Sequence, residues 1–446
     1  MAAYKHLCVR RSWPAELPCL KDTMAHLTTS SSSNVYAAQD HARVFSFFNH
    51  ASLWFSLGVG LLVIQVGTYL SPAMGTQDAL FAIVAGSIIG SALLAWVARI
   101  GCQGGYSSAG LMQAVFGSHW ARLPIVLNVF QLIGWTTFEL VVMRDGTQAV
   151  IAQATGWQAP ALFATAMWGC ALLGLGMASM LTLVRRVVAR VALPLVVVSL
   201  LWLTWHFAAL VMAQGFSNFW DRPSTGAMST LSAVDLVMAM PISWLPLVVD
   251  FARHGRDART TFSGTWIGYA LANMWCYALG VMVVSTVPDG THVVGALLLA
   301  QGGLIALGLI LLDELDNAYG DMYSASTSSH ALLPQLSVRQ WAGGLTVLAT
   351  ALAMVVPIYT IEPFLLLLSS VFVPLFGVII GRAAWSGVVQ APGERTYSAV
   401  AIWLLGVVVF HAIKAVYPSL GSALPTLLLT ISFAFVTRPK VQLQTA

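Results

Sequence analysis

The chain has 446 residues, of which 58% are hydrophobic and only 9% charged, where soluble domains carry roughly a quarter charged side chains. Its 21 basic and 17 acidic residues are too few to cover the water-facing surfaces of about three soluble domains of ~150 residues each. Apolar runs of about 18 residues or more recur instead, which defines an all-α polytopic membrane protein and excludes a compact soluble enzyme, a nucleic-acid binder and a disordered scaffold. The net charge of +4 is what an excess of Lys and Arg in cytoplasmic loops produces, and it carries no implication of nucleic acid as a partner.

In chain order, residues 1–45 are polar, with Lys5, Arg10, Arg11 and Lys21 among Glu16, Asp22 and the run Ser30 to Ser33. No apolar stretch follows them as in a signal peptide, so they read as a cytoplasmic tail, with Met24 as an alternative start. The five cysteines are odd in number and lack CxxC or Cys/His spacing, which points to neither a disulfide framework nor a zinc site.

Apolar runs bounded by charges, Gly and Pro then predict twelve transmembrane helices, near 51–70, 79–98, 124–143, 160–180, 188–212, 232–251, 264–286, 295–318, 340–356, 362–380, 399–415 and 420–436. Each is long enough for a bilayer core of ~30 Å. With a cytoplasmic N-terminus, the 21 Lys and Arg divide into 18 inside and three outside, Arg144, Arg222 and Lys414. That asymmetry supports a multi-pass protein of the cell membrane with both termini cytoplasmic. Residues 46–380 then hold helices one to ten, and residues 381–446 hold two further helices and a short tail.

Two of the predicted spans carry interruptions. Helix one contains Gly58-Val59-Gly60, and helix six contains Pro241-Ile242-Ser243-Trp244-Leu245-Pro246. Proline removes a backbone donor and clashes with the carbonyl four residues back, so local unwinding is expected there. Gly and Pro in membrane helices also serve simple kinks and close packing. The offset of five helices between the two breaks favours paired inverted repeats, in which such breaks mark a transporter's binding site.

Polar residues inside the spans are the remaining signal. Trp135 and Glu139 lie one turn apart on helix three, a flat ring beside an acceptor that suits a planar heteroaromatic ligand. The bland alternative packs Trp135 against lipid or helices and pairs Glu139 with Arg144. At the expected end of helix eight, four of the 17 acidic residues fall within nine positions, Asp313, Glu314, Asp316 and Asp321. Asp313, Asn317, Asp321 and Ser324 form one helical stripe, with Asp316 beside it and Glu314 directed elsewhere. The spacing fits no calcium loop, and a solvated helix end is the competing reading. His206 and His411 stand singly in apolar spans and read as packing residues. Arg253, Arg256 and Arg259 form a basic loop that sets topology. No phosphate-cradling loop, nucleophile elbow or zinc motif occurs.

Several segments together resemble the nucleobase:cation symporter 1 family. They are Leu53-Trp54-Phe55 through Gly67-Thr68-Tyr69-Leu70-Ser71-Pro72, Phe116-Gly117 and Ala121-Arg122-Leu123-Pro124 leading to Gln131-Leu132-Ile133-Gly134-Trp135, Ser243-Trp244-Leu245-Pro246 to Asp250 with Arg253, and Asp316-Asn317-Ala318-Tyr319 to Tyr323-Ser324. The likeness is to the purine/cytosine permease group and its hydroxymethylpyrimidine transporter branch, and it covers helices one to eight. It implies a five-plus-five inverted-repeat (LeuT-like) core with broken helices one and six, alternating access, and cation-coupled uptake of a nucleobase-like pyrimidine such as hydroxymethylpyrimidine or cytosine. The implied substrate residues are Trp135, Glu139, Ser243, Trp244, Asn317 and Asp321. The implied cation residues are Gly58, Gly60, Asp313 and Asp316, with Na⁺ or H⁺ as the coupling ion and no other cofactor. Glu139 stands where the family often has an amide, which favours a donor-rich aminopyrimidine. The runners-up are a purine or allantoin-type permease and, from other classes, a channel or an integral-membrane enzyme.

Overall fold

The computed structural model describes residues 43–177, 190–191, 193–288, 293–300, 302–356, 361–383 and 396–438. Most of the expected tail, and Arg185, Arg186, Arg395 and Lys440 of the charge count, lie outside the described residues.

The first apolar segment is two helices, α1 (Phe47–Ser56) and α2 (Leu61–Leu70). They are followed by α3 (Thr76–Gly104), α4 (Ser108–Trp120), α5 (Arg122–Thr155), α6 (Ala161–Gly176), α7 (Leu193–Gln214) and the short α8 (Phe216–Trp220). The sixth expected segment is again split, into α9 (Thr230–Ser243) and α10 (Val248–Ala252). Then come α11 (Ala258–Thr286), α12 (Val293–Leu299), α13 (Gly303–Leu332), α14 (Val338–Ala353), α15 (Ile361–Ala383), α16 (Thr396–Val416) and α17 (Ala423–Val436). Among the described residues six helices, α3, α5, α7, α11, α15 and α16, are long and apolar enough to cross a membrane, and the pair α1 and α2, bent by 64°, is a seventh. Three shorter apolar helices, α6, α9 and α17, accompany them.

Packing sorts these helices into two groups. One holds the interrupted pair α1/α2 with α3, α9, α10 and α11, and the other holds α5, α6, α13 and α14. In terms of apolar segments, the first group is one, two, six and seven, and the second is three, four, eight and nine. Each group therefore contains two pairs offset by five, the pattern of a five-plus-five inverted repeat. The last helices pack as a unit, α15 with α16 and α17, and α15 also touches α9.

Small residues set the closeness of the first group. A Cβ at Gly264 of α11 would lie 2.7 Å from the Phe47 carbonyl, and at Gly268 and Gly280 it would collide with the carbonyls of Ala51 and Ile64. One straight helix thus supports both halves of the broken one. At the second break Pro241 lies in the last turn of α9, Trp244 N–H donates to the Pro241 carbonyl at 3.3 Å, and Leu245 N–H donates to the Ile242 carbonyl at 3.0 Å. Pro246 adds no donor to this turn, and the helix resumes at Val248.

The eighth segment departs from expectation. A helix over 295–318 was indicated by hydropathy, but the chain forms α12, turns at Gly302 with φ +72, and then runs as one helix from Gly303 to Leu332. The acidic cluster is therefore in the middle of a buried helix and not at a solvated end. Polar residues hid its second half, because their hydroxyls are satisfied by the helix itself: Ser326 Oγ donates to the Met322 carbonyl at 2.6 Å and Thr327 Oγ1 to that of Tyr323 at 2.9 Å.

Gly268→Val is expected to lower stability by ~1–3 kcal/mol through overpacking against α1. Gly344→Val on α14, where a Cβ meets nothing within 4 Å, leaves the unfolding temperature unchanged. Thermal unfolding of both variants in detergent checks the contrast, and equal melting would refute the tight α11–α1 contact.

Candidate functional site

The site begins at the break between α1 and α2. Unwinding at 57–60 frees the N–H of Leu61 and the carbonyl of Val59, and both are met by α13. Glu314 Oε1 accepts from Leu61 N–H at 2.5 Å, so a carboxylate sits on the N-terminus of α2, where the helix dipole favours negative charge. Asn317 Nδ2 donates to the Val59 carbonyl at 3.1 Å and to Glu314 Oε2 at 3.3 Å. Ser56 Oγ, the last residue of α1, donates to Asp313 Oδ1 at 2.6 Å. Successive turns of one helix thus hold the end of α1, the linker and the start of α2. Gly60 suits this closeness, since a Cβ there would lie 3.1 Å from Glu314 Oε1 and would push that carboxylate aside by a few tenths of an ångström. Gly58 instead faces α11, where a Cβ would meet that of Ala272 at 2.8 Å.

A second polar face lies on α5, which packs along α13. Gln131, Trp135 and Glu139 follow one another at four-residue spacing and share a side. Trp135 is 6% exposed and Glu139 3%. The indole meets Phe364 of α15 edge-on at 5.2 Å, and Phe364 also contacts Phe138 at 5.0 Å. The Glu139 carboxyl group interacts electrostatically with Asp321 first, then with Glu314 and Asp316. Buried and without hydrogen-bond partners are Glu139 Oε2, both oxygens of Asp321, one oxygen each of Asp313 and Asp316, the amide oxygens of Gln131 and Asn317, and the indole N–H of Trp135. Seven of these eight atoms are acceptors, so the centre can take donors or cations far more readily than further acceptors.

The break of α9 and α10 faces the same centre. Gln131 Nε2 donates to the Ser243 carbonyl at 3.3 Å and to Asn128 Oδ1 at 3.1 Å. The Ser243 hydroxyl donates back to the Met240 carbonyl at 2.7 Å. Trp244 is buried against Trp54 of α1, edge to face at 6.2 Å. On the Arg253 side, Asp250 of α10 accepts from Ser108 N–H of α4 at 3.0 Å and from Ser324 Oγ of α13 at 2.7 Å, and Arg253 donates to the Tyr323 hydroxyl at 3.1 Å. These contacts tie the two helix groups together below the centre.

The structure brings Asp313, Asn317 and Gly60 to one break, sets Glu139 within electrostatic reach of Asp321, and links Ser243 to α5 through Gln131. Asp316 is half-buried beside them. One sequence expectation is corrected and one competing reading is removed. Glu314 is not directed elsewhere: its longer side chain reaches the α2 N-terminus because the bent chain of 57–60 wraps around two faces of α13. Arg144 does not pair with Glu139, since its Nε donates to Asp145 at 2.7 Å and its Nη1 to the Ala353 carbonyl at 2.7 Å. Gln131, Phe364 and Ser56 were missed. The four-residue spacing from Trp135 signalled Gln131, whereas Phe364 and Ser56 arrive from elements distant in sequence and carry no local mark.

Two interrupted helices meeting a polar helix inside an all-α membrane bundle define the five-plus-five inverted-repeat class. Solved structures agree with that fold: the chain superimposes on the nucleobase-cation-symport-1 transporter Mhp1, in a closed conformation with bromovinylhydantoin bound, with a TM-score of 0.75 and 13% identity over 91% of this chain and 93% of that one. MhsT in complex with L-phenylalanine gives a TM-score of 0.60 and 17% identity over 87% of this chain and 98% of that one. Residues 38–413 match the family described as permease for cytosine/purines, uracil, thiamine, allantoin, and the chain belongs to that family, of the nucleobase:cation symporter 1 type. YxlA of Bacillus subtilis (strain 168), provisionally named a purine-cytosine permease, is 22% identical over 296 residues, which span 63% of this chain and 62% of that relative.

Removing the carboxylate from the α2 N-terminus tests the geometry of the break. Glu314→Ala is expected to destabilise the protein by ~1–3 kcal/mol, the range for leaving a buried donor unsatisfied, and Glu314→Gln, which retains an acceptor, by less. Denaturation of both variants reads the difference, and an Ala variant as stable as wild type would contradict the contact to Leu61.

Proposed function

We propose that the protein is a secondary active transporter that carries a nucleobase-like aminopyrimidine, such as hydroxymethylpyrimidine or cytosine, into the cytoplasm together with Na⁺ or H⁺. The observation that carries this reading is the pairing of an indole face, Trp135, with the unpartnered carboxylates of Glu139 and Asp321. A flat base stacks on the ring while its amino and ring N–H groups donate to the carboxylates. Neutral purine diones, rich in acceptors, match this lining poorly. Trp244 and Ser243 at the second break, with Asn317 on α13, complete the proposed pocket. The coupling cation is proposed at the first break, among the freed backbone of Gly58 to Gly60 and the carboxylates of Asp313 and Asp316.

In this reading residues 46–380 form the transporting core in the cell membrane, residues 381–446 flank it, and both termini are cytoplasmic. Alternating access moves one helix group against the other. Opening toward the cytoplasm separates Asp250 from Ser108 and Ser324, and opening toward the outside moves Phe364 off Trp135. Membership of a permease family favours transport over an enzyme.

Purified protein in liposomes tests the proposal. Radiolabelled cytosine or hydroxymethylpyrimidine should accumulate under an inward Na⁺ or H⁺ gradient and stop accumulating when the gradient is dissipated. Trp135→Ala should fold normally and weaken binding by about 5- to 150-fold, from the ~1–3 kcal/mol of base stacking. Uptake indifferent to both gradients would refute coupled transport, and unchanged affinity would remove Trp135 from the pocket.

A further inference from the structure

The charge inventory around Glu139 and Asp321 points beyond the identity of the base to its protonation state. Glu139 is within electrostatic reach of Asp321, Glu314 and Asp316, all on α13, and Asp321 is within electrostatic reach of Tyr269 from α11. The arginines nearest along the two site helices and their break are already engaged, Arg144 with Asp145 and the Ala353 carbonyl, and Arg253 with the Tyr323 hydroxyl. Among the described residues, the other helices packed on α5 and α13 bring no Lys or Arg to this depth. Within the described residues, α6 and α12 contain no charged side chain, α14 has only Arg339 in its exposed first turn, and α4 has only the exposed His119. His50 of α1 is hydrogen-bonded with Thr261, and His206 of α7 sits edge-on to Phe207. At the ends of the neighbouring α9 and α15, Asp235 accepts from the backbone N–H groups of Ser422 and Ala423, Glu362 is exposed, and Arg382 donates to Ser398.

Glu139 and Asp321 are 3% and 1% exposed, and three of their four carboxylate oxygens have no hydrogen-bond partner. Two buried carboxyl groups within electrostatic reach of one another and short of hydrogen-bond donors favour uptake of a proton or a cationic donor. We propose that the site takes its base as the ring-protonated, amidinium-type cation, forked onto the Glu139 carboxylate beside Asp321, so that the proton enters on the ligand itself. This rests on the reading of the Trp135 and Glu139 face as the substrate site.

The chemistry follows from the shape of a 4-aminopyrimidine. Once the ring nitrogen beside the amino group is protonated, its N–H and one amino N–H point the same way and match the two oxygens of a carboxylate, the fork geometry that makes guanidinium–carboxylate pairs strong. A cation over an indole is held more firmly than a neutral ring, so Trp135 favours the same form. Before entry, the ring-nitrogen lone pair takes a proton from hydronium on the outer side; one N–H bond forms as one O–H bond breaks and water leaves. In the cytoplasm the ring returns that proton to water. One proton moves per base, with no other reactant.

Binding of three probes to the full-length protein in detergent, read by calorimetry across the neutral pH range, tests this. Benzamidine, a planar amidinium that keeps its charge throughout that range, is expected to bind with pH-independent affinity. Affinity for 2,4-diaminopyrimidine should fall tenfold per pH unit above the ring-nitrogen pKa of that base, because only the charged fraction is competent. Uracil should bind at least tenfold more weakly than either. Glu139→Gln and Asp321→Asn should each weaken benzamidine at least tenfold. Aminopyrimidine affinity that is flat across the pKa of the base, with no binding of benzamidine to the wild-type protein, would overturn the proposal without reference to any variant. Absence of binding by every pyrimidine, charged or neutral, would instead overturn the substrate-site reading on which it rests.

Discussion

The Glu314 carboxylate on the free N–H of Leu61 is the contact through which the interrupted pair α1/α2 and the polar helix α13 stabilise each other. A helix broken inside a bilayer leaves backbone donors and acceptors without water, each costing several kcal/mol if unmet. A helix carrying four acidic residues in the same environment leaves carboxylates unmet. Set against one another, the two liabilities cancel: Leu61 N–H and Ser56 Oγ donate to Glu314 and Asp313, and Asn317 takes the Val59 carbonyl. Their contact lies between the two helix groups. The centre of the fold is therefore polar by necessity.

That necessity explains where the remaining polar atoms sit. The clasp at the break consumes one oxygen of Asp313 and both of Glu314, while Glu139, Asp316 and Asp321 retain oxygens with nothing to accept from. Glu139 shares its side of α5 with Trp135, whose ring meets Phe364 edge-on. Contacts that cross between the groups occur below and beside this centre, at Asp250 with Ser108 and Ser324 and at Arg253 with Tyr323. They are accompanied by the Phe251 ring against Tyr323 at 5.6 Å, and under the proposed alternating access these polar contacts exchange for water. The apolar, glycine-lined contacts of α11 with α1 and α2 stay inside one group and have no reason to open. The division into a rigid interior and an exchangeable interface is what a moving transporter requires.

Much of this was legible in the sequence. Gly58-Val59-Gly60 and Pro241 to Pro246 announced both breaks, because glycine and proline act on the backbone wherever they stand. Trp135 and Glu139 were legible because helical spacing fixes which side chains share a face. The eighth segment was not, since hydropathy registers Ser, Thr and Asp as surface even where helix carbonyls and a broken neighbour satisfy them. That moved the expected helix away from its true range of Gly303–Leu332. Glu314 was misjudged for a related reason: a stripe drawn on one helix cannot show that a bent partner covers two of its faces. Pairings such as Ser56 with Asp313 are set by tertiary packing across 257 positions of sequence, and no local pattern encodes them.

The most direct test of the central claim, that buried carboxylates beside an indole read a donor-rich base, is an experimental structure of the protein with cytosine bound. The account predicts the ring stacked on Trp135 with its amino group within hydrogen-bond distance of Glu139 or Asp321, and Glu314 still on the N-terminus of α2. A base bound elsewhere, or one whose carbonyl rather than amino edge faces Glu139, would contradict it.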